Sequence, residues 1–288
     1  MSKKSAQKHR KKNINEQILE ILLWFFSFLT IGILIWILLY ILVQGIPNIS
    51  WDFLTTSYRS ESRGILPMII ATLYVILISV LIATPLGLGA AIYLTEYAKL
   101  GKLVRIIRFA TETLAGIPSI IFGLFGFAFF VTALHLNFSL LSGALTLAIM
   151  VLPSIIRTTE EALRAVPDAY REGSLALGAT KLRTTLQVVL TSAIPGILTG
   201  IILSIGRIVG EFVVLIFTAG TAIQGINVAL TDSNRTLSVH MYMLAKEGLS
   251  FEQAFATAAV LIIIVAIINY VATRIAVIIK KGTMGYDQ

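Results

Sequence analysis

Long apolar runs, separated by shorter polar segments, repeat along the chain. Six of them each hold about the 20 apolar residues that a helix needs to cross a hydrocarbon core about 30 Å thick. A soluble fold has no use for six such runs in 288 residues, so the pattern predicts an all-α integral membrane protein with six transmembrane helices. The predicted spans are Ile18–Val43, Ile65–Leu94, Phe109–Leu134, Phe138–Ile156, Ile194–Ala219 and Ala254–Ile279.

The charged residues are few, and the basic ones lie on one side of the predicted spans. Charged residues make up 13% of the chain, about half the share of a typical soluble domain. Eighteen of the 23 Lys and Arg residues fall in the two termini and in alternate loops, whereas the opposite loops hold four. Because basic loops stay in the cytoplasm during insertion, both termini are predicted to be cytoplasmic. This asymmetry explains the net charge of +8 by topology and not by nucleic-acid binding.

Two regions follow from this layout. Residues 1–15 are predicted to form a basic cytoplasmic tail, and residues 16–288 a single transmembrane domain. The apolar run after the tail is far longer than the 7–15 residues of a signal peptide's apolar core, so we expect it to remain as the first span.

The inner loop between the fourth and fifth spans is the most unusual polar segment. It covers residues 157–193 and carries nine charges, yet it is rich in Ala and Leu. Loops of this length are usually functional or disordered, and the composition argues for order. Pro167 favours the first turn of a helix, and Gly178 can end that helix in a left-handed conformation. We predict a helix, a Gly turn and a second helix that dock on a partner; an interfacial hairpin without a partner is the alternative.

Motifs for catalysis are missing from the sequence. It has no G-x-x-x-x-G-K-S/T phosphate loop, which argues against ATP hydrolysis by that device. It has no cysteine, and its three histidines, His9, His135 and His240, lack the spacing of metal ligands. We therefore predict that this chain is not an enzyme and holds neither a metal nor a cofactor.

Two charged residues and four glycines stand out in the fifth predicted span. Arg207 and Glu211 are four residues apart, which places them on one face of a helix. Intramembrane charges mark a substrate pathway, a relay or a buried pair. Arg207 could attract a tetrahedral oxyanion through its planar fork, or it could simply pair with Glu211. Two G-x-x-x-G pairs predict close helix packing, within the chain or between subunits: Gly196, Gly200, Gly206 and Gly210.

The inner loop resembles the EAA loop of ABC-importer permeases. The family pattern is E-A-A, three residues, Gly, nine residues and then I-x-L-P. Here Glu172 and Gly178 keep the Glu and Gly at that spacing, while Gly173 and Ser174 replace the two alanines and Val188–Thr191 (VVLT) lacks the final proline. The resemblance implies a segment that docks on an ATPase subunit. That segment comprises Arg171, Glu172, Gly173, Ser174, Ala176, Leu177, Gly178 and Ala179.

Further stretches are similar to the PstA-type permeases of phosphate importers. They are Leu114–Gly126 (LAGIPSIIFGLFG), Val151–Pro167 (VLPSIIRTTEEALRAVP), Pro195–Gly200 (PGILTG) and Leu237–Tyr242 (LSVHMY). That family usually has G-x-A-R-x-x-G-E-T-A-P-L-L-F-T-A in the fifth span. Ile205–Ala219 (IGRIVGEFVVLIFTA) keeps its Arg, the Gly before the Glu, the Glu and the final F-T-A, but has Phe212, Val213 and Val214 in place of T-A-P.

This resemblance implies the fold of type I (MetI-like) importer permeases and a subunit that moves inorganic phosphate across a prokaryotic plasma membrane. Arg207 and Glu211 would line the substrate path, and ATP with Mg²⁺ would bind to other subunits. The implied partners are a PstC-type second permease, two PstB-type ATPases, an external PstS-type phosphate-binding protein and membrane lipid. The alternatives are a permease for another oxyanion, such as sulfate, molybdate or phosphonate, and a membrane scaffold or signalling subunit.

Overall fold

The computed structural model describes residues 14–58, 63–99, 101–226 and 228–284, so nearly all of the predicted basic tail lies outside the described residues. The described chain is helical and contains no strand, which confirms the predicted fold class. Its helices are α1 (Ile14–Gly45), α2 (Trp51–Thr55), α3 (Leu66–Ile92), α4 (Lys102–Ala115), α5 (Ser119–Gly126), α6 (Leu140–Arg164), α7 (Asp168–Ala176), α8 (Lys181–Thr184), α9 (Leu190–Gly210), α10 (Val213–Thr218), α11 (Leu237–Lys246) and α12 (Phe251–Met284).

Five rods of the described chain are long and apolar enough to cross a membrane, and a bent pair of helices brings the number to six. The five are α1, α3 with the π-helical turn Tyr93–Tyr97, α6, the rod from α8 through α9, and α12. The bent pair is α4 and α5, in which α5 continues through a π-helical turn at Phe127–Ala133. The number of spans agrees with the sequence prediction, but two of the six predicted spans differ from the structure.

The third predicted span, Phe109–Leu134, is wrong as a single helix. α4 ends at Ala115, α5 begins at Ser119, and their axes differ by 102°. Pro118 accounts for the break, because its ring disfavours helical backbone at Ile117 and it has no N–H to donate. α4 is strongly amphipathic, so the apolar length at this place comes from α5 and the turn after it.

The fifth predicted span, Ile194–Ala219, is wrong at both ends. Its helix continues from Lys181 through a π-helical turn at Thr185–Val189 and ends at Gly210. Glu211 is extended, with φ −80° and ψ 117°, and α10 then starts at Val213. Two side chains stabilise the break: the Glu211 carboxylate accepts from the Val214 N–H at 3.3 Å, and the Ser238 hydroxyl donates to the Glu211 carbonyl at 3.1 Å.

The central core lies between α3 and α6, which pack together more extensively than any other pair of described helices. Small and polar residues allow this closeness. The Ser79 hydroxyl donates to the Ala144 carbonyl at 2.9 Å, and a Cβ at Gly87 would lie 2.6 Å from the Ile155 Cγ2. Two smaller apolar clusters lie toward the two ends of the bundle, one around Met68 and Leu237 and one around Leu163 and Val189.

One end of the bundle is closed by the connections of α5, α10 and α11. His135 and Asn137, in the short turn between α5 and α6, have positive φ values of 53° and 54°. The Leu140 and Leu141 N–H groups donate to carbonyls of the 220–236 loop. The Leu237 N–H donates to Thr72 at the start of α3, at 2.9 Å. The opposite end carries α7 and α8.

Candidate functional site

The inner loop folds as a helix, a Gly turn and a second helix. Pro167 precedes the first residue of α7, and Gly178 has a φ of +80°. The Thr180 hydroxyl then accepts from the Arg183 N–H at the start of α8. The positive φ explains the glycine at this place, because a side chain there would cost roughly 1–2 kcal/mol in the left-handed region. The structure of this loop therefore matches the sequence prediction.

The surface of α7 and its turn is open and partly apolar. None of the residues of α7 is buried. Leu177 is 91% exposed, Tyr170 54% and Leu175 47%, although they lie outside the helices that are long enough to cross a membrane. Apolar side chains grouped at a surface beside charged ones are typical of a protein-binding patch.

Arg171 attaches α7 to the ends of two other helices. Its Nη2 donates to the Glu96 carboxylate at 2.8 Å and to the Leu163 carbonyl at 2.9 Å, and its Nε donates to the same carboxylate at 3.3 Å. Its Nη1 donates to the Val166 carbonyl at 2.7 Å and to Asp168 at 3.2 Å. The hydrogen bonds to Glu96 raise the pKa of Arg171, against the opposing effect of burial. Glu96 was not singled out in the sequence, since its chain distance from Arg171 hides the pair.

A second buried carboxylate, that of Glu160, connects α4 with α6. Its Oε2 lies 2.7 Å from Arg164 Nη2 and 3.5 Å from Arg108 Nη2. A cavity of about 260 Å³ opens beside it, lined by Thr111, Pro153 and Arg157 among others. The ends of α3, α4, α6 and α7 therefore meet in one charged layer that the sequence pattern did not predict.

Arg207 and Glu211 are not paired. No ion pair joins them within the described ranges, because the helix ends between them and the Glu211 carboxylate turns to the Val214 N–H. Arg207 is exposed on α9. A Cβ added at Gly206 or Gly210 would meet no atom within 4 Å, and Leu203, one turn earlier, is 62% exposed. The described chain therefore does not form the alternative Arg207–Glu211 salt bridge, and the helix face of Arg207 is one that the rest of the described chain leaves open.

The four glycines of α9 divide into two groups. A Cβ at Gly196 would lie 2.6 Å from the Ala162 Cβ, and one at Gly200 would lie 2.8 Å from the Thr158 Cβ. These two glycines bring α9 against α6. Gly206 and Gly210 instead lie on the same open face as Arg207.

A half-buried arginine and a buried histidine lie near the start of α11. Arg235 donates through Nε and Nη2 to the Thr221 carbonyl at 2.9 and 2.7 Å, and its Nη1 lies 3.5 Å from His240 Nδ1. Burial lowers the pKa of His240 to about 3, and the nearby Arg235 charge adds to the effect. Burial likewise lowers the pKa of Arg235. Arg235 therefore ties the 220–236 loop to α11, and His240 is neutral at physiological pH.

Metal ligands do not converge anywhere in the described ranges: no group of three or more His, Asp or Glu side chains there could hold an ion. The features with functional potential are the α7 hairpin with its Arg171 attachment and the open face around Arg207.

Comparison with known proteins places the chain in a family. The family described as "Binding-protein-dependent transport system inner membrane component" matches residues 83–284. The "Probable ABC transporter permease protein YqgI" of Bacillus subtilis is 35% identical over 87% of this chain and 91% of its own length. "Phosphate transport system permease protein PstA 1" of Mycobacterium tuberculosis is 35% identical over 84% of this chain and 82% of its own.

Solved structures share the fold at lower identity. A chain of the MetNI methionine ABC transporter in an inward facing conformation superposes with a TM-score of 0.64 at 20% identity, over 75% of this chain and 95% of its own. A chain of a bacterial alginate ABC transporter gives 0.64 at 16% identity, over 93% of this chain and 95% of its own. These structures support the MetI-like fold alone.

Proposed function

Because the chain belongs to the family of binding-protein-dependent transport system inner membrane components, we propose that it is the permease subunit of an ATP-driven phosphate importer. It is a multi-pass membrane protein. The observation that carries the substrate assignment is its 35% identity to a phosphate transport permease over 84% of the chain. The retained Arg207, Gly210 and Glu211 support the same assignment.

The open face of α9 is the proposed wall of the phosphate path. A lone Arg in an apolar span costs about 2.5–3.5 kcal/mol on insertion scales, and Arg207 has no carboxylate partner among the described residues to offset this cost. Water and a passing anion would offset it. The guanidinium offers paired hydrogen bonds that fit the oxygens of a tetrahedral anion. Gly206 and Gly210 leave room beside it for the anion or for a second permease.

The α7 hairpin is the proposed docking site for an ATPase subunit, with α7 and both termini in the cytoplasm. Its exposed Tyr170, Leu175 and Leu177 offer apolar contacts, and Glu172 a charge. ATP with Mg²⁺ would bind to two PstB-type subunits, while a PstC-type permease would complete the pore. A PstS-type binding protein would deliver phosphate from outside. This chain would take no catalytic part in ATP hydrolysis.

The assembly and its substrate can be tested together. The chain is purified from its own cells, its co-purifying subunits are identified by mass spectrometry, and the complex is reconstituted in vesicles with its binding protein. We expect ATP-dependent uptake of radiolabelled phosphate that excess sulfate and molybdate do not reduce. Uptake of sulfate or molybdate in preference to phosphate would reassign the substrate, and purification without an ATPase would contradict the importer.

A further inference from the structure

The attachment of α7 to the membrane bundle is made by polar contacts. None of the residues of α7 is buried, and Tyr170 and Leu175 are only about half covered, so apolar packing alone does not hold the helix in place. On one side, the Ser174 hydroxyl lies 2.9 Å from the Thr184 hydroxyl at the base of the α8–α9 rod. On the other, Arg171 contacts Glu96 after α3 and the Leu163 and Val166 carbonyls at the end of α6.

We propose that Arg171 is a positioning residue that couples α7 to α3 and α6, so that a displacement of α7 by the ATPase moves the membrane helices. This inference rests on the proposed function, since it names the path by which the docking helix acts. α3 and α6 form the central core of the bundle. A displacement that reaches their ends is therefore passed to the part of the molecule that packs most tightly.

The chemistry of the contact requires an arginine. Nε, Nη1 and Nη2 are all engaged with acceptors on three segments, which is the full donor capacity of the fork. Two of these acceptors are carbonyls at the C-terminal end of α6, where the helix dipole favours a cation. A lysine keeps the charge but has a single nitrogen. It cannot contact the Glu96 carboxylate and both carbonyls in the same geometry.

Burial distinguishes the two carboxylates that contact Arg171: Glu96 is buried and is expected to matter for coupling, whereas Asp168 is exposed. Side-chain exposure is 8% for Glu96 and 18% for Arg171, whereas Asp168, which contacts the same guanidinium, is 87% exposed. Exposed ion pairs contribute little, but the loss of one partner from a buried pair leaves a charge without compensation. Asp168 is therefore a matched control, because it contacts the same Arg at a similar distance but does not link that Arg to α3.

The experiment uses the reconstituted complex with its binding protein. Glu96→Gln, Arg171→Lys and the double variant are compared with Asp168→Asn for assembly, basal ATP hydrolysis, and phosphate transported per ATP. We expect all four to assemble, and ATP hydrolysis is measured in each so that transport can be expressed per ATP hydrolysed. Phosphate per ATP should fall by about tenfold in Glu96→Gln and Arg171→Lys, within the usual range of coupling between sites. It should fall no further in the double variant than in Arg171→Lys, because Arg171→Lys has already broken the link to Glu96.

The readout separates coupling from simple loss of structure. Asp168→Asn should keep the wild-type ratio of phosphate to ATP. A wild-type ratio in Arg171→Lys would overturn the proposal, and so would a loss of assembly in both single variants, since the contact would then serve folding only. Failure of the wild-type complex to transport phosphate would instead refute the proposed function, so the two failures are distinguishable.

Discussion

At the scale of single residues, burial decides which charged side chains have fixed partners. Glu96 and Arg171 are nearly enclosed and form a complete set of hydrogen bonds, whereas Arg157 and Glu161 form an exposed i,i+4 pair, 72% and 65% open to solvent. An exposed pair of this kind is worth about 0.3–0.5 kcal/mol. Arg207 belongs to neither group: it is exposed, but on a helix long and apolar enough to cross a membrane.

Replacing Arg207 tests the anion path. Arg207→Gln should lower phosphate uptake by about tenfold or more, equal to about 1.4 kcal/mol, while the complex still assembles. Arg207→Lys should restore part of the uptake, because it keeps the charge and loses the fork. Radiolabelled phosphate uptake in vesicles is the measurement. Full uptake by Arg207→Gln would remove this residue from the path.

Glu211 gives the companion test. Its carboxylate accepts from the Val214 N–H at the start of α10, and a glutamine can still do so through its amide oxygen. Glu211→Gln should therefore keep α10 in place and retain more uptake than Glu211→Ala. Combining Glu211→Gln with Arg207→Gln should not restore uptake, because the two side chains are not paired in this structure.

His240 makes the stability of the protein depend on pH. Its pKa is about 3 in the folded chain, lowered by burial and by Arg235, against about 6.5 when unfolded. Between these values the unfolded state binds the proton and the folded state does not, so stability falls as the pH drops from about 6.5 toward 3. The slope from this group is up to about 1.4 kcal/mol per pH unit.

Thermal unfolding in detergent at pH 7 and pH 5 measures this effect. The wild type is compared with His240→Gln, in which Arg235 and Tyr58, which contact the His240 side chain, are unchanged. His240→Gln cannot take up the proton, and its loss of stability on acidification should be smaller than that of the wild type. Equal losses in the two proteins would show that His240 titrates normally in the folded state.

At the scale of elements, breaks and turns are set by a few positions. Pro118 separates α4 from α5, Gly178 separates α7 from α8, and the capping contacts of Glu211 separate α9 from α10. The first two are visible in the sequence, because Pro and Gly have defined backbone effects. The third depends on Ser238, 27 residues away.

Gly178 offers a test of the hairpin. A Cβ at this position would meet no atom within 4 Å, so a substitution acts through the backbone alone. Gly178→Val should misplace α7 and abolish both phosphate transport and the ATP hydrolysis that accompanies it, with normal membrane insertion. Gly178→Asn should be much milder, because Asn tolerates the left-handed region. Wild-type coupling in Gly178→Val would show that the hairpin does not transmit the ATPase movement.

The glycines of α9 give a paired test of helix packing. Gly200→Leu would force α9 away from Thr158 on α6, and overpacking of this kind costs about 1–3 kcal/mol. Gly206→Leu meets open space in this chain and should leave the thermal stability of the isolated chain unchanged. If Gly206 faces a second permease, the same variant should weaken assembly of the complex. Unfolding temperatures and co-purification yields measure the two effects.

At the scale of the whole molecule, the α7 hairpin and the 220–236 loop lie at opposite ends of the bundle. The α7 hairpin lies with the ends of α3 and α6, and the 220–236 loop lies with their beginnings. The apolar helix α1 packs on α12 and leaves nearly all of its described side chains exposed. This layout suits a multi-pass subunit whose exposed apolar helix contacts lipid.

Cysteine labelling tests the orientation of this layout. The chain has no cysteine, so single cysteines can be placed at the exposed positions Asn48, Gln224 and Thr180. An impermeant reagent applied to intact cells should label the first two and not Thr180, which should react only after the membrane is opened. Labelling of Thr180 in intact cells would invert the proposed topology.

Much of the fold follows from the sequence because its physical causes are local or periodic. The number of spans follows from apolar length, and the α7 hairpin from Pro167 and Gly178, whose backbone preferences depend little on their surroundings. The spacing of Glu172 and Gly178 in the inner loop also indicated the family. The polar contacts between spans had no such signal, since each joins residues far apart in the chain.

Tertiary structure alone decided how the charges are used. Arg207 and Glu211 have helical spacing, but Ser238 and the Val214 N–H stabilise a break between them. The two residues therefore do not share one continuous helix face. Glu96 and Arg171 are far apart in the sequence and share no motif. The fold nevertheless brings the ends of α3 and α6 together with α7, so that the two side chains meet. Apolar length is a property of a segment, which its own residues determine, whereas the partner of a buried charge depends on how all segments pack.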